Sequence, residues 1–384
     1  MLKTRPGAPA VVDATFLNEL AEPPATTGIK PEEGRVNLLD FSPSDLEAYL
    51  TRLGKEKFRA RQLMLWIYDR GITDFGQMSN LAKGFREGLA ELAEIRMPEE
   101  ARREQSVDGT TKFLFRMDDG EFIESVLIPE DDRMTLCVSS QAGCAMACEF
   151  CLTARMGLRR NLKVWEILGQ VLHVKLAMRE LFPERRLSNI VFMGMGEPLQ
   201  NLEKVAKACE VLTDDFGFKI SARKVTVSTV GLVPQIRKFG QITNVNLAVS
   251  LNATTDKVRD RIMPINRKWP IARLIEALRE VPLDGRRKIT IEYVMLKGLN
   301  DTLDDARRLA ALLADIPCKI NLLPWNPFPG PDLETPEPAQ VQEFQNYLIA
   351  HHMNARVRTP RGRDISAACG MLKGIETGKV KVPR

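Results

Sequence analysis

The chain has 384 residues, of which 44% are hydrophobic and 27% charged, proportions typical of a globular protein rather than a disordered or fibrous one. This length is sufficient for one large catalytic domain with smaller additions, and no apolar run approaches the roughly 18 residues of a membrane span. Because the first 36 residues also lack the apolar stretch of a secretory signal, we expect a cytoplasmic protein without a membrane partner.

The first part of the chain predicts a tail followed by a small helical module. Residues 1–36 are rich in Pro, Ala, Thr and Glu and show little periodicity, which predicts a flexible tail. Residues 37–98 contain three stretches of helical periodicity, the first capped by Ser42 and the third beginning near Ser79. We therefore expect three short helices packed into one module.

A β-hairpin is predicted next. Within residues 99–133, the runs TKFLFRM and FIESVLI have the composition of strands and are separated by Asp118-Asp119-Gly120, a turn sequence. This segment would link the helical module to the main domain.

Residues 134–358 alternate between apolar runs and helical stretches. The helical stretches include Val164–Leu181 and Leu303–Ala314. The apolar runs read as buried parallel strands, and they are Thr135–Ser139, Asn189–Met193, Lys224–Thr229, Val245–Leu251, Lys288–Met295 and Cys318–Leu323. Six strand–helix units predict an α/β fold, and a six-unit partial barrel fits better than a full eight-unit barrel.

Polar or glycine-rich residues follow several of these strands. In parallel α/β folds, functional groups gather at the carboxyl ends of the strands, so these residues are candidates for one binding site. They are Gly196, Glu197, Ser228, Ser250, Leu251, Asn252 and Asn326.

Three cysteines after the first strand predict an iron–sulfur cluster. Cys144, Cys148 and Cys151 are spaced C-x3-C-x2-C, whereas a closed 4Fe-4S cluster needs four thiolates. Three ligands would leave one iron open for another molecule. The alternative is a structural zinc site with a remote fourth ligand, but the chain has no second cysteine pair.

Two of the other four cysteines are candidates for chemistry. Cys209 and Cys318 lie in apolar patterns and are expected in the core. Cys137 precedes the cysteine loop, and Cys369 lies among small residues in a basic segment, residues 359–384, where cationic neighbours would lower a thiol pKa. Residues 355–384 contain eight cationic side chains and only two carboxylates. This surplus of positive charge suits binding to a phosphate backbone.

With Phe150 before its last cysteine, the loop resembles the signature of the radical S-adenosylmethionine (SAM) superfamily. The resemblance implies a 4Fe-4S cluster on Cys144, Cys148 and Cys151, with SAM chelated by the open iron and cleaved by one electron to a 5′-deoxyadenosyl radical. It implies a six-unit partial barrel and assigns the strand-end residues to SAM binding. At Asn252 the chain departs from the histidine that the family often has.

Longer stretches resemble the RlmN-type RNA adenine methyltransferases. The resemblance spans about residues 37–374 and includes SVLIPEDDRMTLCVSSQAGCAMACEFC, VFMGMGEPLQN, CKINLLPWNPFPG and TPRGRDISAACG. It implies that Cys369 accepts a methyl group from one SAM and that a second SAM supplies the radical that activates this S-methyl group. Carbon 2 of an adenine is then attacked, Glu124 removes the ring proton, and Cys137 releases the product through a transient disulfide with Cys369.

The resemblance also implies the partners. The helical module and the basic C-terminal segment would bind RNA, and the substrates would be 23S rRNA and, for many members, the tRNA anticodon loop. An electron donor such as flavodoxin is implied, and nothing in the sequence demands more than a monomer.

Three rival functions stay open. A Cfr-type enzyme would methylate carbon 8 of the same rRNA adenine. A radical enzyme that makes a glycyl radical on a protein would have no use for Cys137 or Cys369. A non-catalytic, zinc-bearing RNA-binding protein would contain zinc without sulfide.

Overall fold

A computed structural model describes residues 34–283, 285 and 287–374. The predicted tail therefore lies almost entirely outside the described residues, as does the end of the basic segment from residue 375. No helix in the described part of the chain is long and apolar enough to cross a membrane.

The chain is built around one ten-stranded mixed sheet, in the order β14-β13-β12-β11-β10-β9-β6-β5-β4-β3. Two short two-stranded sheets, β1 with β2 and β7 with β8, lie outside it. The strands are β1 Val36–Asn37, β2 Ala93–Glu94, β3 Glu99–Gln105, β4 Thr111–Arg116, β5 Phe122–Glu130, β6 Arg133–Cys137, β7 Gln141–Gly143, β8 Leu158–Asn161, β9 Asn189–Phe192, β10 Val225–Thr229, β11 Asn246–Ser250, β12 Ile289–Met295, β13 Cys318–Pro324 and β14 Ala355–Val357.

Ten α-helices are present in the described residues. They are α1 Pro43–Arg52, α2 Phe58–Met64, α3 Lys83–Leu92, α4 Val164–Leu181, α5 Leu202–Thr213, α6 Val233–Ile242, α7 Asp256–Ile262, α8 Ile271–Arg279, α9 Leu303–Leu312 and α10 Pro338–Ala350. The mixed α/β prediction is confirmed, and α4 has the predicted bounds.

The three helices before the sheet form largely as predicted. The Ser42 hydroxyl accepts a hydrogen bond from the Asp45 backbone N–H at 3.1 Å and caps α1, which begins at Pro43. The third helix does not begin near Ser79, because a 3₁₀ turn at Phe75–Gln77 and a further turn occupy that stretch, and α3 begins only at Lys83.

All six predicted strands form within one or two residues of their expected ends, as β6 and β9 to β13, and they pair in parallel. A seventh parallel strand, β14, pairs with β13 and was not expected. The predicted hairpin is β4–β5, and β3 extends it by antiparallel pairing. The terminal strands β3 and β14 do not pair with each other, so the sheet is open.

The hydrophobic core lies between the sheet and the helices that cover one face. Alternate side chains of the parallel strands enter this core, among them Leu136, Ile190, Val227, Leu247, Ile291 and Leu322. The other side chains of the same strands face the concave side of the sheet, where both large cavities of the described residues lie.

Candidate active site

The three loop cysteines line one cavity, which occupies about 990 Å³ at the carboxyl ends of the parallel strands. Cys144 follows β7 directly, and its backbone N–H donates to the Gly157 carbonyl at 3.0 Å. Cys144 and Cys148 are buried, whereas Cys151 is partly accessible. The loop therefore presents three thiols to one space.

Burial raises the pKa of each of these thiols, to about 12 for Cys144 and well above the usual value for Cys148. Cations must therefore bind if the thiols are to ionise, and iron does this because a coordinating thiol loses its proton. In a 4Fe-4S cluster each thiolate binds a different iron, and three thiols at one cavity offer three such ligands.

The turn after β9 places Gly196 and Glu197 in the same cavity. The Glu197 carboxylate accepts hydrogen bonds from the backbone N–H groups of Leu199 at 3.0 Å and Val230 at 2.8 Å. Burial raises the pKa of Glu197 to about 7, despite these two hydrogen bonds. The carboxyl group thus ties the end of β9 to the turn after β10.

Of the other strand-end candidates, Ser228, Ser250 and Asn326 line the cavity, whereas Leu251 and Asn252 do not. Asn252 is fully buried, and its side-chain oxygen accepts a hydrogen bond from the Val294 backbone N–H at 2.8 Å. It fastens β11 to β12 behind the cavity wall. Contact of Leu251 and Asn252 with a cofactor therefore stays a prediction from the family resemblance.

Cys369 lines the same cavity as the cysteine loop and lies on a segment that follows β14. The segment is bound to the loop, because the Leu152 backbone N–H donates to the Gly370 carbonyl at 2.7 Å and the Thr153 hydroxyl donates to the Leu372 carbonyl at 2.6 Å. Asn326 adds a hydrogen bond to the Cys369 carbonyl at 3.2 Å.

The pKa predicted for Cys369 was wrong in direction. The Cys369 side chain is exposed in the cavity, yet desolvation by the surrounding protein raises the pKa of its thiol, the nearby carboxyl group of Glu292 acts in the same direction, and Arg358 opposes them only in part. The neighbours in the sequence are cationic, but in space a carboxyl group acts against them.

Cys137 ends β6 and lines a second cavity on the concave face, which also contains Cys369. The two cavities share several lining residues, including Met193, Glu292 and Asn326, so they meet at Cys369. All seven cysteines are free. Cys209 and Cys318 are buried within the core, as predicted.

Glu124 on β5 is buried and lines neither cavity. Its carboxylate accepts hydrogen bonds from the backbone N–H groups of Lys373 at 2.7 Å and Gly374 at 3.2 Å, and Lys112 lies 3.4 Å away. In this structure Glu124 therefore anchors the segment that carries Cys369.

Two residues of the site were not anticipated from the sequence. Glu292 lies where the two cavities meet. The available signal in the sequence was that Thr290 and Glu292 are polar residues two positions apart in an apolar strand, and therefore lie on the same face of β12. Arg259 on α7 is fully buried beside Cys148 and donates to the carbonyls of Leu251 at 2.9 Å and Val230 at 2.7 Å. It holds the strand ends of β10 and β11 in place, and nothing in its local sequence indicated this.

Comparisons with known proteins place the site in a family. Residues 36–95 match the ribosomal RNA large subunit methyltransferase N-terminal domain, and residues 138–310 match the radical SAM superfamily. A radical SAM methyltransferase from Sphaerobacter thermophilus superposes with a TM-score of 0.83, at 41% identity over 88% of this chain and 100% of that one.

Curated relatives match over nearly the whole chain. The dual-specificity RNA methyltransferase RlmN of Geobacter sulfurreducens is 54% identical over 88% of this chain and 92% of its own, and that of Geotalea uraniireducens is 51% identical over 88% and 97%. This chain therefore belongs to the RlmN family of radical SAM methyltransferases, whose superfamily uses a 4Fe-4S cluster and SAM.

Proposed function

We propose that this protein methylates carbon 2 of a specific adenosine in 23S rRNA, and of an adenosine in the tRNA anticodon loop, through an S-methylated Cys369. The observation that carries the proposal is the position of Cys369. It lies in one cavity with Cys144, Cys148 and Cys151 and in the adjoining cavity with Cys137. A methyl carrier needs this double access, to the cofactor on one side and to a second thiol on the other.

In this proposal Cys144, Cys148 and Cys151 hold the 4Fe-4S cluster, and Gly196, Glu197, Ser228, Ser250 and Asn326 bind SAM in the same cavity. The bound cofactors supply the one-electron chemistry that an electron-poor adenine carbon requires. The chain's own residues supply position: Asn326 and the cysteine loop hold the Cys369 segment through backbone hydrogen bonds.

Cys137 is proposed to release the product by attacking the Cys369 sulfur. The bond between the two sulfurs forms as the bond from the Cys369 sulfur to the transferred carbon breaks, and that carbon keeps the bonding electron pair and takes a proton to become the methyl group. Burial raises the pKa of the Cys137 thiol, and negative charge on Cys369 raises it further. Because a protonated thiol is a poor nucleophile, the raised pKa disfavours premature disulfide formation. For Glu124, removal of the ring proton requires its carboxylate to leave the Lys373 and Gly374 backbone, so we propose that the segment moves during the reaction.

We further propose a division of the chain into four parts: residues 37–98 are a helical module that binds RNA, 99–133 a linking hairpin, 134–358 a partial barrel, and 359–384 the basic segment that carries the methyl acceptor. A cytoplasmic monomer reduced by a flavodoxin-type protein completes the proposal.

The test is nucleoside mass spectrometry of 23S rRNA and tRNA from a strain lacking the gene and complemented with variants. The wild type and Cys209→Ala, a control at a buried cysteine outside both cavities, restore 2-methyladenosine, whereas Cys369→Ala restores none. Appearance of 8-methyladenosine would favour the Cfr-type reaction. Restoration by Cys369→Ala would exclude the S-methylcysteine route.

A further inference from the structure

The concave face of the sheet carries polar side chains between Cys369 and the amino-terminal ends of the strands. Each of the central strands turns a polar side chain toward the second cavity, and these residues are Thr135, Asn189, Thr226, Asn246, Thr290 and Asn321. Barrel interiors that act only as a core are filled with branched apolar side chains instead. The second cavity, at about 2240 Å³, is thus built to hold water or a polar ligand.

This cavity is also strongly cationic. Its lining includes two carboxyl groups, Glu130 and Glu292, and six cations, namely Arg133, Arg223, Lys319, Arg356, Arg358 and Arg361. Arg133 is paired with Glu130, and Glu292 accepts a hydrogen bond from the Asn321 amide at 2.8 Å. Burial raises the pKa of Glu292, which favours its neutral form.

The remaining five cations have no carboxylate within 4.0 Å among the described residues, although ion pairs are common elsewhere in them. Three of the five cluster at one edge: Lys319 on β13, and Arg356 and Arg358 at β14. The pKa of Lys319 is lowered by desolvation, and the charges of Arg358, Arg356 and Arg133 lower it further against the opposing effect of Glu292. Mutual repulsion of this kind is relieved when a polyanion binds.

We propose that RNA enters along the concave face beside the β13–β14 edge of the sheet, and that Lys319, Arg356 and Arg358 bind the phosphates that flank the target adenosine. The route rests on the proposed function, because its inner end is Cys369, which both cavities share. A nucleotide that is rotated out of its stack brings its flanking phosphates with it, and these need cationic partners at the entrance. A single-stranded RNA segment fits this geometry, because the target base and its two flanking phosphates must pass between the concave face of the sheet and the cations at β13 and β14.

The experiment compares two double variants that remove the same charge. Arg356→Ala with Arg358→Ala removes two cations of the entrance, whereas Arg273→Ala with Arg307→Ala removes two exposed cations from the outer helices α8 and α9. Binding of a hairpin transcript that contains the target adenosine is measured by filter retention between 50 and 200 mM salt, with the full-length, cluster-loaded protein.

The entrance variant should bind RNA about tenfold more weakly than the wild type. The slope of its log affinity against log salt concentration should be shallower by about 1.4, because each contact with a single-stranded phosphate contributes about 0.7. In methylation assays the loss should fall mainly on KM. The outer-helix variant should match the wild type. Arg356→Lys with Arg358→Lys should retain most of the binding, because a phosphate contact requires charge rather than a planar guanidinium.

An entrance variant that folds, carries its full iron content and binds with the wild-type slope would overturn the proposed route and leave the proposed reaction intact. If the entrance variant loses affinity as expected but the wild type methylates no adenosine, the proposed reaction is overturned and the phosphate contacts stand. Equal loss in both double variants would show that the total charge, and not this entrance, determines binding, and would also overturn the proposed route.

Discussion

At the scale of single residues, the site depends on backbone positions that admit no side chain. Gly143 ends β7 directly before Cys144, with a φ of 75°. A Cβ atom at this position would lie 1.9 Å from the Gly157 carbonyl oxygen, a backbone atom that cannot rotate away. The same carbonyl accepts the hydrogen bond from the Cys144 backbone N–H. The first cysteine of the loop, Cys144, is therefore positioned by a contact between two backbones.

Gly143→Ala should accordingly damage both stability and cluster binding. Gly120 in the β4–β5 turn is the matched control, because its φ is 83° and nothing lies within 4 Å of an added Cβ. Gly120→Ala should cost only the backbone strain, about 1 kcal/mol, and Gly143→Ala several kcal/mol in all. Urea unfolding of the metal-free proteins measures the difference, and iron content after reconstitution should fall for Gly143→Ala alone. Equal destabilisation of both variants would refute the backbone contact.

Residue-level prediction from the sequence succeeded where the chemistry is local. The cysteine spacing and the polar residues after the strands identified the cysteines and several of the polar side chains that line the first cavity. It failed where the partner is distant in the chain: Glu124 contacts the Lys373 and Gly374 backbone, and the Cys369 thiol lies near Glu292, which its sequence neighbours do not reveal. A pKa depends on spatial neighbours, which a single sequence does not provide.

At the scale of elements, the turn between β3 and β4 holds the segment that carries Cys369. The Asp108 carboxylate accepts hydrogen bonds from the backbone N–H groups of Thr110 at 2.9 Å and Gly362 at 3.0 Å. Across the same contact, the Ser106 hydroxyl donates to the Asp364 carboxylate at 2.6 Å. The turn between β3 and β4 thus fixes the position of the segment that carries Cys369.

This contact predicts a pH-dependent stability. Hydrogen bonds to its charged form lower the pKa of Asp108 from 3.8 to about 2, although desolvation, the largest single influence, opposes the shift. Because the folded-state pKa lies below the unfolded one, the stabilisation is complete above about pH 4 and is lost as the pH falls through 2. Asp108→Ala should therefore lower the unfolding free energy by about 1 kcal/mol at pH 7, since the site is largely open to solvent.

The measurement is urea unfolding of the wild type and Asp108→Ala at several pH values from 7 down to 3. The difference between them should be constant down to about pH 4 and should shrink below it. Val107→Ala, which removes an exposed apolar side chain from the same turn and no titratable group, is the control and should show no such trend. A difference that is independent of pH down to 3 would mean that the Asp108 charge contributes nothing.

Elements with strong patterns were predictable, and the others were not. Continuous apolar runs gave β6 and β9 to β13 correctly, and helical periodicity gave α4. The strand β14 was missed because its central residue is Arg356 and its inner side faces the cationic cavity, so it reads as a basic loop. The strand β3, with the sequence EEARREQ, is almost wholly polar and is held by pairing with β4 instead of by burial.

At the scale of the whole molecule, the helical module and the sheet are joined by a tight crossing. The chain between β2 and β3 passes over α4, where a Cβ on Gly169 would lie 2.4 Å from Pro98 Cδ and 3.4 Å from Met97 Cα. Module and sheet also share a hydrogen bond from the Trp165 backbone N–H to the Asp40 carboxylate at 3.0 Å. These contacts, together with one continuous hydrophobic core, indicate that the two parts unfold together.

Gly→Ala substitutions at two helical glycines distinguish the effect of helix propensity on stability from the effect of the tight crossing. In an open helix, Gly→Ala stabilises by about 1 kcal/mol, and Gly88 on α3, with nothing within 4 Å of an added Cβ, should show this gain. At Gly169 the same propensity gain is opposed by overlap with the Pro98 ring, and overpacking of a fixed site costs about 1–3 kcal/mol. Gly169→Ala should therefore destabilise the protein, in a single transition followed by both tryptophan fluorescence and far-UV circular dichroism. A stabilised Gly169→Ala would show that the crossing can move apart at little cost, and two separate transitions would show that module and sheet unfold independently.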